Sequence, residues 1–271
     1  MFLPRIFARF VSSLGSAWLL AFFLTACAST PPPPATLRIM TYNIQHGAGL
    51  DQKIDLLRTA QTINAAHPDI VALQEVDQGV QRTSRRDLTA ELAALTGMTG
   101  VFSNNFHYQG GNYGNAILTR LPIKRWTNLH YKMIRPGEQR GLLQLVLDAH
   151  GREIVFMNTH IDYRADDTER LMNVAELIDA TKGYGSRPVI VCGDFNDLPG
   201  SRTHKNMKEQ FDDTWELAGH GDGFSYPAGT PLKRIDYFWI PKDKSLVPLD
   251  IEVIDTQASD HRPVVATFQL R

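Results

Sequence analysis

Polar side chains stand at five points where an apolar run of this sequence ends. They are Asn43, Glu75, His160, Asp194 and Asp236. In α/β proteins, ligand and catalytic sites gather at strand ends and in the loops that follow them. Because the set combines carboxylate, amide and imidazole groups, it could bind a cation and move protons. We therefore expect these residues to converge on one site, although polar residues bound many strands for purely structural reasons.

Carboxylates and an amide supply the first kind of chemistry. Glu75 follows the apolar run 70–73, where an unpaired buried charge would be costly, so it needs a cation or a hydrogen-bonding partner. Mg²⁺ prefers carboxylate and water oxygens. Asp194 and Asn196 are two residues apart after Gly193 and could face one cleft. The alternatives are a capped surface acid at Glu75 and an Asx-type turn at residues 194–196.

Histidines could supply the second kind of chemistry, the movement of protons. His160 ends the run 154–159, and His261 directly follows Asp260 near the C-terminus. Histidine titrates near neutrality and can exchange a proton there, and a nearby carboxylate can fix its tautomer. Asp236 is a candidate for that carboxylate. The alternative for Asp236 is a structural acid beside Arg234.

Two arginines are candidate phosphate ligands. Arg82 lies seven residues after Glu75 and could reach back over the site, and Arg140 precedes an apolar run. Arginine can fork onto phosphate through two N–H groups. A solvated loop remains the alternative for the basic segment 81–87.

Alternating helices and strands must position these residues. Apolar runs predict strands at residues 37–43, 69–75, 115–119, 141–148, 154–159, 189–191, 234–240, 251–254 and 264–270. Helical spacing predicts helices at residues 54–65, 87–96 and 166–181, with Pro68, Gly97 and Gly183 near their ends. The segment 108–114 is predicted as either a mobile substrate loop or a simple connection.

Seven short motifs, in this order, resemble the endonuclease/exonuclease/phosphatase superfamily, which includes deoxyribonuclease I and bacterial sphingomyelinases. They lie at residues 40–44, 73–76, 114–118, 158–160, 193–196, 234–237 and 259–261. The resemblance implies an α/β fold, a four-layer α/β/β/α sandwich in which two packed mixed sheets are flanked by helices. It also implies a site at one end of the two sheets.

The resemblance further implies a role for each matched residue. Metal ligands would be Asn43, Glu75 and Asp260, holding Mg²⁺, Mn²⁺ or Ca²⁺. Catalytic residues would be His160, Asp194, Asn196, Asp236 and His261. Asn115 would join Arg82 and Arg140 as contacts to the substrate phosphate. The division of labour between Asp194 and His261 as general base stays open.

The N-terminus has the layout of an exported lipoprotein. Arg5 and Arg9 precede an apolar stretch that is short for a membrane span, and small residues follow it. Residues 24–27, ending in Cys27, resemble the bacterial lipobox, which implies a signal peptide at 1–26 and acylation of Cys27. Ala28 after the cysteine implies sorting to the outer membrane. An uncleaved anchor or ordinary cleavage nearby is the alternative.

Three segments follow from this pattern: the signal peptide 1–26, the lipidated cysteine with a proline-rich linker at 27–36, and a catalytic domain at 37–271. Four consecutive prolines favour an extended spacer between membrane and domain. Acylation would leave Cys192 as the single free thiol, so we expect no disulfide framework. We infer no obligate protein partner.

Net charge bears on the substrate. The chain carries −1, and loss of residues 1–26 would remove Arg5 and Arg9 and no acid, leaving −3. Proteins that bind phosphate backbones without specificity are usually basic, so this balance weakens a duplex-DNA substrate. The leading hypothesis is a divalent-metal-dependent phosphodiesterase of the cell envelope. Nucleic acid, phospholipid or sphingolipid, and small phosphate substrates remain open, and the alternative is a non-catalytic phosphate- or lipid-binding lipoprotein on the same fold.

Overall fold

A computed structural model describes residues 1–2 and 35–271 of the chain. The predicted signal peptide, the acylation site Cys27 and residues 27–34 of the linker lie outside the described residues and stay predictions. From residue 35 onward, the chain forms one compact unit. Within the described ranges, no helix combines the length and apolarity needed to cross a membrane.

The described domain contains strands and helices in alternation. The strands are β1 (Thr36–Asn43), β2 (Ile70–Gln78), β3 (Thr99–Tyr108), β4 (Gly111–Thr119), β5 (Ile123–His130), β6 (Gly141–Ala149), β7 (Arg152–His160), β8 (Val189–Asp194), β9 (Phe211–Asp213), β10 (Asp236–Pro241), β11 (Leu246–Val253) and β12 (Val264–Leu270). The helices are α1 (Leu56–Ala66), α2 (Leu88–Thr96), α3 (Thr168–Lys182), α4 (Arg202–Gln210) and α5 (Thr214–Ala218).

Two six-stranded mixed sheets share one topology. The first sheet has the order β11-β12-β1-β2-β4-β3, and the second has the order β5-β6-β7-β8-β10-β9. Each sheet has one parallel pair at its centre, β1 with β2 and β7 with β8, and antiparallel neighbours outside it. The two central pairs therefore occupy equivalent places in the two sheets.

Apolar packing stacks the elements in four layers. The inner faces of the two sheets pack together through side chains such as Ile39, Phe156 and Phe238. A second cluster joins the outer face of the first sheet to α1 and α2, and a third joins the outer face of the second sheet to α3 and α4. The predicted α/β/β/α sandwich with two packed mixed sheets is confirmed.

Local sequence explains where the predicted helices begin and end. The Asp55 carboxylate accepts hydrogen bonds from the first backbone amides of α1, and Asp87 does the same for α2. Such side-chain caps stabilise a helix N-terminus by about 1 kcal/mol. Gly97 ends α2 with φ 64°, a left-handed conformation that glycine adopts without steric cost.

Elements that the sequence pattern missed lie mainly at the edges. β3 and β5 are sheet-edge strands with half-exposed, polar sequences, so they lack the apolar run of a central strand. The short α4 is also strongly polar. Residues 109–110 form the turn between β3 and β4, so the segment 108–114 is mostly hairpin rather than a long loop.

Candidate active site

Strand register brings five of the predicted residues to one end of the two sheets. In the parallel pair of the second sheet, His160 stands opposite Asp194, and across the antiparallel pair Asp194 stands opposite Asp236. In the first sheet, β1 ends at Asn43 beside the place where Glu75 leaves the regular ladder of β2. Each sheet therefore contributes an acid to the same end of the sandwich.

Glu75 sits on an irregularity in β2. The register between β2 and β4 shifts between Leu73 and Val76, and Glu75 has φ 59°. A non-glycine residue in the left-handed region costs on the order of 1–3 kcal/mol, a cost that persists where the surroundings impose it, often at functional sites. The bulge turns the Glu75 side chain toward the cleft, which it lines.

Asn43 connects the two acids. Its Nδ2 donates to Glu75 Oε1 at 3.0 Å and to Asp194 Oδ2 at 3.1 Å, while its Oδ1 accepts from the Gln45 amide at 3.1 Å. Asn43 is completely buried. In this arrangement its amide group holds the carboxylates together, and its predicted contact with a metal stays a prediction.

Asp194 lies at the centre of the site. Its Oδ1 accepts from the Asn196 backbone amide at 2.9 Å, and its Oδ2 lies 3.4 Å from His160 Nε2 and 3.7 Å from His261 Nε2. Burial raises the pKa of Asp194 to about 7, against the lowering effect of the His261 charge. Gly193 permits the close approach of the β7 and β8 backbones, because a Cβ there would overlap the Thr159 carbonyl.

Arg140 fixes the tautomer of His160. Its Nη1 donates to His160 Nδ1 at 2.9 Å, so the imidazole carries its own proton on Nε2, the nitrogen that faces Asp194. Burial and the charges of Arg140 and His261 hold the pKa of His160 well below its usual value. His160 is therefore a neutral hydrogen-bond donor. Glu138 balances Arg140 through an ion pair of 2.7 Å.

His261 forms a buried pair with Asp236. Its Nδ1 lies 3.0 Å from Asp236 Oδ2, and the same oxygen accepts from Ser225 Oγ at 2.6 Å. Burial lowers the pKa of His261, but the charges of Asp236 and Asp194 outweigh it and raise that pKa to about 10. The ring therefore carries a charge at neutral pH and presents Nε2 to Asp194. Arg234, the alternative partner of Asp236, binds Asp213 instead.

The remaining predicted residues divide into two groups. Asp260, Asn196 and Arg82 line the cleft together with Glu75 and the histidines. The fork of Arg82 is already used, since its Nε and Nη2 donate to the buried Asp77 at 2.8 and 2.9 Å. Asn115 is buried, donates to the Gly141 carbonyl at 3.2 Å and is not among the lining residues, so its contact with phosphate stays a prediction.

Sequence reasoning missed several residues that the structure adds. Ser225 and Tyr226 come from the loop before β10, where Tyr226 packs its ring 4.7 Å from that of His261. Asn158 ties the two sheets together, because its Nδ2 donates to the carbonyls of Leu73 and Ala116. A signal was present for Asn158, which sits inside a predicted strand where an unpaired amide would be costly.

The site is the floor of an open cleft of about 630 Å³. Acidic, basic and aromatic side chains line its walls. The basic ones include Arg140 and Lys233, and the acidic ones include Asp197 and Glu138. A second group of acid and imidazole side chains lies outside this cleft, with His204 and Asp213 buried and Glu216 exposed. The cleft therefore holds the residues with which phosphate ester chemistry is feasible.

Known proteins of related sequence identify the family of this chain. The sequence model of the endonuclease/exonuclease/phosphatase family matches residues 40–261. YbhP of Escherichia coli strain K12, an uncharacterized protein, is 25% identical over 248 residues, covering 87% of this chain and 97% of YbhP.

Solved structures of low sequence identity share the fold. The human Nocturnin catalytic domain with bound sulfate is 21% identical with a TM-score of 0.69, covering 88% of this chain and 94% of that one. The mannosyl-6-phosphatase Bt3783 of Bacteroides thetaiotaomicron is 16% identical with a TM-score of 0.70, covering 86% and 99%. The family match spans all the site residues from Asn43 to His261, and the chain belongs to the endonuclease/exonuclease/phosphatase family of hydrolases.

Proposed function

We propose that this chain is a divalent-metal-dependent phosphodiesterase. The observation that carries the proposal is the pair of acids, Glu75 and Asp194, that Asn43 joins across the two sheets. Neutral His160 and charged His261 lie beside Asp194 at the same end of the cleft. Hydrolysis of a phosphate ester needs charge neutralisation at phosphate and an oriented water, and this set of groups suits both needs.

The donor set fits Mg²⁺, with Mn²⁺ or Ca²⁺ as alternatives. Glu75 and Asp260 both line the cleft, and Mg²⁺ takes one or two protein carboxylates and completes its shell with water and phosphate oxygens. Burial raises the pKa of Glu75, so a cation beside it would stabilise its charged form. When bound, such an ion would offset charge on the phosphate and lower the pKa of a bound water.

Each protein group then has a defined task. His160 donates its Nε2 proton in a hydrogen bond to a phosphate oxygen, because Arg140 occupies Nδ1. Asp194 orients the attacking water, since its carboxylate lies centrally and the Asn196 amide fixes one oxygen. His261, held by Asp236, is charged at neutral pH and serves as a phosphate ligand or as a proton donor to the leaving oxygen.

The predicted linker joins the described domain at the start of β1. β1 runs from Thr36 to Asn43, so the linker joins the domain roughly 23 Å from the site, at the other end of the strand. We propose export, acylation of Cys27 and attachment to the outer or cytoplasmic membrane. Mass spectrometry of the membrane-extracted protein should find a diacylglyceryl group on Cys27, which Cys27→Ser should abolish; an intact Met1 would contradict export.

Turnover tests the catalytic proposal directly. Bis-p-nitrophenyl phosphate should be hydrolysed with Mg²⁺, and EDTA should abolish the activity. A metal-saturated, folded protein that binds phosphate but turns over neither this diester nor p-nitrophenyl phosphate would favour the non-catalytic lipoprotein. Faster turnover of the monoester would replace the phosphodiesterase with a phosphatase.

A further inference from the structure

Aromatic rings make up much of the cleft wall. Phe106, Tyr108 and Tyr113 come from the β3–β4 hairpin, Tyr163 from the loop after β7, and Tyr226 from the loop before β10. These are three segments far apart in sequence. The chemistry at phosphate uses none of these rings, so their convergence on the cleft needs another explanation.

The hairpin side of the cleft is preorganised. Arg82 lies between two rings, 5.0 Å from the centroid of Tyr108 and 5.3 Å from that of Tyr113, and its fork is bound to Asp77. Phe106 stacks on Tyr108 at 6.2 Å with an interplanar angle of 26°. Because Asp77 balances the charge of Arg82, this wall presents aromatic side chains more than free positive charge.

The other rings stand beside the phosphate-binding groups. Tyr226 packs 4.7 Å from His261, and Arg140 lies 5.5 Å from the centroid of Tyr163. Tyr163 is 60% exposed, so most of its ring is open to a ligand. Aromatic surface is therefore available within reach of the groups that would hold the phosphate.

The rest of the lining narrows the ligand class. Leu198 and Ile235 are the aliphatic side chains among the lining residues, too few for a wall that receives an acyl chain. Arg82 and Arg140 also line the cleft, but Asp77 and Glu138 neutralise them, so little free positive charge is left for the further phosphates of a nucleic acid strand. A compact ligand with one phosphate and a flat apolar group matches this lining better.

We propose that the cleft recognises a planar aromatic group attached to the phosphoester of a small molecule. This inference rests on the proposed function for the position of the phosphate. Stacking on protein rings tolerates many aromatic groups, because each of them has a π-face. A nucleotide base and an aryl group both supply such a ring, and the recognised chemistry is the same.

Matched ligands test the proposal on the full-length protein. Adenosine 5′-monophosphate and ribose 5-phosphate share a sugar phosphate and differ by the base, and phenyl phosphate carries a ring without the sugar. Affinities are measured by calorimetry and by inhibition of bis-p-nitrophenyl phosphate turnover. At least one aromatic ligand should bind about tenfold more tightly than ribose 5-phosphate. A clear preference for the nucleotide over phenyl phosphate would identify a base as the source.

Two variants and a control locate the effect. Tyr163→Leu or Tyr108→Leu should reduce the aromatic preference several-fold and leave the affinity for ribose 5-phosphate within twofold. Trp126→Leu alters an aromatic residue that is 52% exposed outside this cleft and should change neither affinity. Equal affinities of all three ligands, or an unchanged preference in both tyrosine variants, would overturn the inference. Aromatic preference in calorimetry without any turnover would instead contradict the proposed function alone.

Discussion

Two buried histidine–carboxylate pairs in this domain look alike and differ in what surrounds them. His261 Nδ1 lies 3.0 Å from Asp236 Oδ2, and His204 Nε2 lies 2.9 Å from Asp213 Oδ2. Both histidines are 5% exposed. Neither the distance nor the burial therefore distinguishes a catalytic pair from a structural one.

The carboxylates differ first. Asp213 also accepts two contacts from Arg234 Nη1, at 3.0 and 2.8 Å, and one from the Trp215 amide at 2.9 Å, so both oxygens are satisfied. In Asp236, Oδ2 carries His261 and Ser225, while Oδ1 is buried without a hydrogen-bond partner among the described residues.

The surroundings of the two imidazole rings differ as well. The His204 ring packs 5.2 Å from Trp239 and 5.7 Å from Tyr237, on the outer side of the second sheet. His261 instead presents Nε2 to Asp194 at the floor of the cleft. His261 therefore faces the cleft while His204 packs against aromatic rings, and this difference supports the catalytic role proposed for His261.

The largest expected effect is at His261 and Asp236. General acid–base and orienting groups typically contribute about 10²–10⁴-fold, so His261→Ala and Asp236→Asn should each lower kcat/KM by about that much. If Asp236 acts through His261, the two losses should not add, and the double variant should be little worse than His261→Ala. A double-mutant cycle on kcat/KM, with melting curves as a folding control, measures this. Multiplicative losses in well-folded variants would break the pair into independent residues.

His204→Ala should lower the stability of the domain and leave its activity nearly unchanged. The substitution removes a packed ring and leaves Asp213 with one partner fewer, which should cost about 2–4 kcal/mol of unfolding free energy. For a domain of this size, each kcal/mol lowers Tm by roughly 2–4 °C. The kcat/KM of the folded variant should stay within about threefold of the parent. A hundredfold loss of kcat/KM at full folding would show that His204, buried on α4 against the second sheet, has more than a structural role.

Ser225→Ala should give a smaller loss of activity. Ser225 is buried and does not line the cleft, so it acts by holding the Asp236 oxygen that binds His261. Losing one hydrogen bond to a charged group, worth about 1.5 kcal/mol, should lower kcat about tenfold with little change in KM. Ser225→Thr, which keeps the hydroxyl, should restore most of kcat. A lower Tm with unchanged kcat would leave Ser225 with a structural role only.

The smallest expected effect is the loss of stability at acidic pH that comes from Asp213. Burial raises the pKa of Asp213, but His204 and Arg234 outweigh it, so its folded pKa lies below the unfolded value of about 3.9. The stabilisation by Asp213 is therefore complete above that unfolded value and is lost as pH falls through the folded pKa. Unfolding free energy measured from pH 5 to pH 2.5 should fall less steeply in Asp213→Asn. Identical slopes would contradict the assigned shift.

Central strands were predictable because a strand buried on both faces is written in the sequence as a continuous run of apolar residues. The apolar runs before Asn43, Glu75, His160 and Asp194 are central strands in the structure, and the ordered motifs implied how their ends meet. The roles of these residues as ligands or catalysts stay predictions until they are measured.

Contacts between distant loops could not be predicted from local patterns. Ser225 and Tyr226 precede β10 in an irregular segment, and nothing in their spacing indicates Asp236 or His261 as partners. Arg234 lies two residues before Asp236, where the alternation of a strand would put both side chains on one face. It precedes β10 in an irregular segment, however, and binds Asp213. Edge strands such as β3 escaped notice since half-exposed strands have no apolar run.

Glu75→Gln tests whether Glu75 is a metal ligand, because it removes the charge with little change of side-chain volume. The Gln oxygen can still accept from Asn43 Nδ2, as Glu75 Oε1 does. Burial disfavours the charge, as the raised pKa of Glu75 shows, so its removal should not lower Tm. Glu153→Gln, a surface exchange in an ion pair with Arg187, is the matched control.

The decisive measurement is turnover of bis-p-nitrophenyl phosphate as a function of Mg²⁺ concentration in the parent, Glu75→Gln and Glu153→Gln. We expect superimposable curves for the parent and Glu153→Gln. For Glu75→Gln we expect a midpoint shifted to at least tenfold higher Mg²⁺, or turnover at least a hundredfold lower at saturation. Coincident curves for all three proteins would contradict Glu75 as a metal ligand and with it the proposed site.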